Sequence, residues 1–222
     1  MFKTGNIFID AFTQIIIFLP LLPVIMIFLR KIYSNDVLNF LMILCLLNFI
    51  EGLIFSISHT LNINEVSIQN IFSLPELIIL IQIFKSTIPR KSREVLYILL
   101  IAFISAVITY YFIKGTGERR AELSDVQDGI IIVITIAGLL NLVRNNYLHI
   151  FKSPLFWIAA GTLFYFIIAV LLEVVDKCCL QPGQLPGGDN MILLNIASIV
   201  RYLFYTLASL FYNNPRYNKN NF

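Results

Sequence analysis

Three ionisable side chains stand inside stretches that are otherwise apolar. Arg201 sits in the middle of the run Asn190–Tyr212, among Ile, Val, Leu, Phe, Tyr and Ala. Glu51 and Glu76 sit inside two earlier apolar runs. An arginine is a permanent cation with five N–H donors. Its burial requires an acceptor, and these carboxylates are the two that the apolar runs offer. Two carboxylates against one arginine leave one negative charge over. That surplus has to be protonated, hydrated or matched by a cation, which is the chemistry of a ligand- or ion-responsive site. The same residues can also form a Glu–Arg pair that simply holds helices together. Unpaired, each charge at a helix centre costs roughly 2.5–3.5 kcal/mol on insertion scales. Pairing and further hydrogen bonds offset that cost without any ligand.

Helical spacing supplies the neighbours, because residues three and four apart share a face. Asn48, Glu51, Phe55 and His59 form one stripe. Ser198, Arg201 and Tyr205 form a second, and Thr162, Tyr165 and Glu173 a third. Asp10 and Gln14 share a face near the start of the chain. The candidate ligand- or ion-binding set is Glu51, Glu76 and Arg201 with Asn48, Tyr165, Tyr205 and His59. His59 lies at the end of its run, where a residue among headgroups is the alternative reading.

The elements that carry these residues are transmembrane helices. Of 222 residues, 58% are hydrophobic and 13% charged, and mean hydropathy is +0.82. Soluble domains carry roughly 25% charged residues. A transmembrane β-barrel would show ~10-residue alternating segments, and none appears. The expected class is an all-α polytopic bundle in a single domain over residues 1–222. A spanning helix needs ~20 mainly apolar residues. Seven stretches qualify or come close, at about 6–29, 37–60, 70–84, 95–113, 126–143, 154–175 and 190–212. Pro20 and Pro23 should kink the first. Pro154 suits the first turn of the sixth. Residues 213–222 read as a polar tail.

Seven spans separate the basic residues cleanly. Arg30, Lys31, Lys85, Arg90, Lys91, Arg93, Arg144, Lys152, Arg216 and Lys219 fall on one side, ten in all. Lys3, Lys114, Arg119, Arg120 and Lys177 fall on the other, five in all. The positive-inside rule then puts the C-terminus in the cytoplasm and the N-terminus outside, in a bacterial inner membrane. At ~1.5 Å of rise per residue, Glu51, Glu76 and Arg201 lie about 13, 9 and 16 Å below the outer surface. Three polar residues at nearly one depth suggest a polar cavity that opens outward, with the guanidinium at its floor.

Several chemistries lack their residues. No lysine lies within the last span to form a Schiff base, and His59 and His149 fall on opposite sides, so they do not make a haem-ligating pair. No Ser-His-Asp set, phosphate loop, HExxH or acidic metal cluster is present, and no span has an Asp near its centre. The protein is expected to be no enzyme and to need no cofactor or metal. Cys45 reads as a small buried hydrophobe. The net charge of +3 comes mostly from loop cations, so no direct contact with nucleic acid is expected. The inner basic residues would attract anionic lipid headgroups at about 1 kcal/mol each.

The run KSPLFWIAAGTLFYF (Lys152–Phe166) and the last span NIASIVRYLFYTLASLFY (Asn195–Tyr212) resemble those of small seven-span proteins of Bacteroidota. These are similar to the membrane-sensor regions associated with histidine kinases. The resemblance implies a sensor or signalling accessory. No kinase or DNA-binding domain follows the last span in this sequence, so signalling would pass to a separate protein partner, with a homo-oligomer as a further option. Two other functions stay open. One is a small transporter or channel that uses Glu51 or Glu76 as a proton or cation site. The other is a membrane accessory or pore-forming effector of an antiphage, CRISPR-type system.

Overall fold

The computed structural model describes residues 14–61, 65–88, 90–114, 121–179 and 188–212. Among them the secondary structure is entirely helical. The helices are α1 (Leu21–Leu29), α2 (Asp36–Leu61), α3 (Glu65–Phe84), α4 (Arg90–Lys114), α5 (Ala121–Asn146), α6 (Pro154–Cys179) and α7 (Gly188–Phe211). A 3₁₀ turn, Tyr147–Lys152, leads from α5 into α6. Four of the helices are long and apolar enough to cross a membrane, through Asp36–Ser58, Val126–Arg144, Pro154–Val175 and Ile192–Phe211. Shorter apolar stretches are Gln14–Leu29, which takes in α1 and the helical residues before it, Ile71–Phe84 in α3 and Leu100–Tyr110 in α4. A turn at Leu19–Pro20 lies within the first stretch, and charged residues occupy the first turn of α4. Asp10, residues 115–120 and 180–187, and residues 213–222 lie outside the described residues.

Apolar side chains cover much of the surface as well as filling the core, and a few polar ones are buried. Ile98, Ile101, Phe112, Val133, Leu140 and Leu29 are all more than 60% exposed. Arg201, Gln127, Thr135, Thr162 and Ser209 are buried. Apolar surface this extensive is at home in lipid, where helices associate through packing and interhelical hydrogen bonds. Thr135, Thr162 and Thr206 return their hydroxyls to the carbonyl four residues back, at 2.7, 2.7 and 2.8 Å. Those bonds keep the hydroxyls satisfied without water.

α7 packs along α6, and also against α1; α3 packs on α2, and α5 lies against α6 and α3. The core runs through Ile27, Leu38, Leu41, Leu44, Leu77, Phe84 and Tyr205, all fully buried. α4 joins it along one narrow stripe, Phe103 and Val107, flanked by Tyr97 and Leu100.

One end of the bundle is clamped. α1 stops in a Schellman turn: Ile32 N–H reaches the Ile27 carbonyl at 3.2 Å and Lys31 N–H the Phe28 carbonyl at 3.0 Å. Lys31 takes the left-handed conformation there, with φ 52°. Ile27 and Ile32 pack together in the core behind the turn. Asn35 then caps α2, its Oδ1 accepting from Leu38 N–H at 3.2 Å. Arg30, between the two helices, donates to the carbonyls of Ser209, Leu210 and Tyr212. Those carbonyls end α7 and find no N–H donors within the helix, so a cation that donates to them is the fitting cap. Asn35 also donates to the Tyr212 hydroxyl at 3.2 Å.

A candidate polar site around Arg201

The helices position the site by close approach. Gly161 of α6 faces α7 so tightly that a Cβ there would lie 2.9 Å from Phe204 Cβ and 3.0 Å from the Arg201 carbonyl. A glycine is what lets the two backbones meet at this level. Arg201 therefore emerges into a wall formed by α6. It is 3% exposed. Its Nη2 pairs with Glu76 Oε1 of α3, and its Nε donates to the Tyr205 hydroxyl at 2.9 Å. The Tyr205 and Thr162 hydroxyls are 2.9 Å apart, and Thr162 in turn donates to the Ile158 carbonyl. Four rings surround the guanidinium carbon, with centroids at 4.7 Å (Tyr165), 5.3 Å (Tyr205), 5.4 Å (Phe166) and 6.0 Å (Tyr202). Ring faces attract the cation electrostatically and replace hydration that the interior cannot give.

Pro75 sets up the carboxylate side. It stands inside α3 directly before Glu76, and a proline breaks the local backbone ladder. The disturbed turn is supported from α5, where Gln127 Nε2 donates to the Ser73 carbonyl at 2.9 Å.

Of the residues expected at the site, Glu76, Arg201 and Tyr205 are joined directly and Tyr165 lies over the guanidinium. Asn48 reaches the cluster through Tyr202, donating to its hydroxyl at 3.2 Å. Glu51 is within electrostatic reach of both Glu76 and Arg201, and it makes no hydrogen bond among the described residues. The His59 side chain lies outside the described residues. Tyr202 and Phe166 are members that spacing alone did not select. Each neighbours a selected residue by one position, which on an ideal helix points about 100° away, yet the rings are broad enough to reach back. Gly161 left a faint signal, a small residue one position before Thr162 in the span facing Arg201.

The arrangement holds charge, donors and aromatic faces, and its evident capacity is binding and coupling between helices. Among the described residues, no three His, Cys, Asp or Glu side chains gather where they could share a metal ion. Cys45 is buried, as expected for a small hydrophobe. No family model, curated protein or solved structure matches the chain.

Proposed function

We propose that the chain is a non-enzymatic seven-span protein of a bacterial inner membrane, N-terminus outside and C-terminus cytoplasmic, that serves as a sensor or signalling accessory. One observation carries the reading. α7 holds the charged cluster at its middle and, two to three turns further on, the end that Arg30 clamps. A ligand or ion that alters the pairing of Glu51, Glu76 and Arg201 thus acts on the helix that leads to the tail. Such a ligand has to bind the two states of the cluster with different affinity. The likeness of Lys152–Phe166 and Asn195–Tyr212 to kinase-associated sensor regions supports the same reading, with a separate protein partner receiving the signal.

Trp157 provides the test. It is the single tryptophan and stacks on Phe211 at 5.4 Å and 15° between planes, with Phe204 at 5.7 Å. It therefore reports the far end of α7. Glu76→Gln in lipid nanodiscs is expected to change Trp157 emission and quenching while the fold is retained. An unchanged Trp157 signal in folded Glu76→Gln rejects the sensor reading. Solute flux in liposomes that depends on Glu51 or Glu76 replaces it with a transporter.

A further inference from the structure

We infer that Glu51 is a resident proton-binding site, held as the neutral acid with its O–H directed to the Asn48 amide oxygen. The inference rests on local geometry and not on the signalling reading. Arg201 is already committed: Glu76 takes Nη2, Tyr205 takes Nε, and four rings cover the guanidinium. Glu51 shares the cluster's field and makes no hydrogen bond among the described residues. Asn48, three residues earlier on α2, spends its Nδ2 on Tyr202, while its Oδ1 is buried with no donor. Residues so spaced lie about 5–6 Å apart at Cβ on one helix face.

α2 thus presents two neighbouring acceptors and no donor. A single proton on Glu51 removes the surplus negative charge and supplies the donor that Asn48 Oδ1 lacks. The surroundings fit a neutral acid. α3 faces Glu51 with Glu76, a like charge. α7 faces it with Arg201, whose charge Glu76 already matches, and with Tyr202 and Tyr205. α6 adds Tyr165, and all three tyrosines are uncharged at neutral pH. From the helical residues that precede α1, Gln14 donates to Ser56 of α2 at 3.2 Å.

Infrared spectroscopy of the full chain in bilayers at neutral pH tests this. A protonated-carboxyl C=O band is expected in the wild type, shifted by deuterium exchange and absent from Glu51→Gln. In Asn48→Ala the band should move to higher frequency as its acceptor disappears. Glutamine is the isostere of the neutral acid, so Glu51→Gln should melt at the wild-type temperature. A wild-type spectrum without a band that Glu51→Gln removes overturns the inference, as does a Glu51→Gln chain that does not fold. Stabilisation of the wild type, but not of Glu51→Gln, by Na⁺ or K⁺ overturns it in favour of a bound cation. A carboxyl band together with an unmoved Trp157 signal would retire the signalling reading alone.

Discussion

Gly161→Ala perturbs the contact that brings α6 and α7 together at Arg201. The new methyl would meet Phe204 Cβ at 2.9 Å, the Arg201 carbonyl at 3.0 Å and Arg201 Cα at 3.4 Å. Two of these are backbone atoms of α7, so no side-chain rotation relieves them. Ordinary contact begins at 3.4 Å, and the helices must part by at least 0.5 Å at this level. A radial gap of about 0.5–1 Å forfeits a quarter to a half of each neighbouring dispersion well. Overpacking of this kind costs about 1–3 kcal/mol. Alanine's better helix propensity returns about 0.5–1 kcal/mol, which leaves a net loss of roughly 0–2.5 kcal/mol, against a gain in the absence of the contact. Gly129→Ala is the matched control, because a Cβ there meets nothing within 4 Å. It should be neutral or stabilising by up to about 1 kcal/mol. Reversible denaturation in detergent micelles, followed by Trp157 fluorescence, measures both. A Gly161→Ala chain as stable as Gly129→Ala would show that α6 and α7 do not meet as described.

Two further expectations concern the clamped end. Arg30→Met keeps much of the side chain's length and removes the donors to Ser209, Leu210 and Tyr212. It should cost about 1–2 kcal/mol, at the low end for charge-assisted bonds because the site is partly wet, with faster amide hydrogen exchange confined to the last turns of α7; unchanged exchange there contradicts the cap. Lys31→Gly removes a Cβ from a left-handed residue, and should stabilise by up to about 1 kcal/mol in the same denaturation experiment. A loss of stability would mean that the lysine side chain makes a contact that outweighs its backbone strain.

The helices were legible where composition and punctuation agree. The run after Ser153 begins at Pro154, the first residue of α6, because a proline lacks the N–H that a first turn leaves unpaired anyway. Boundaries set by hydropathy alone came out short. α3 begins at Glu65 and α5 at Ala121, since a helix continues through polar residues once its ladder is started. Pro20 did break the first helix, at Leu19–Pro20. Of the site, the pairing was half legible: Glu76 and Arg201, picked out as charges within separate apolar runs, are bonded. Which carboxylate wins was not legible. That depends on the approach of α3 to α7, and on Pro75 and Gln127 shaping the turn beside Glu76. The aromatic wall was only half visible, because helical spacing selects faces and ignores how far a ring can lean. Arg30 was read as a topology charge, and its second role as a cap needed the end of α7 in place beside it. Nothing in local sequence connects positions 179 residues apart.

The Arg201–Glu76 pair also sets a timetable for synthesis. The partners are 125 residues apart, and the cation belongs to α7, which is made well after α3. At about 5–20 residues per second, Glu76 waits roughly 6–25 s for its counter-ion. During that interval the carboxyl must take a proton, keep α3 near water, or lean on the insertion machinery. α3 is suited to waiting, because its apolar stretch is short and a proline interrupts it. Arrival of α7 then ends the wait in one step, supplying Arg201, the Phe204 face for Gly161 and the carbonyls for Arg30. A ribosome stalled before residue 201 should therefore leave α3 accessible to aqueous thiol reagents at an engineered cysteine, and completion of the chain should close it.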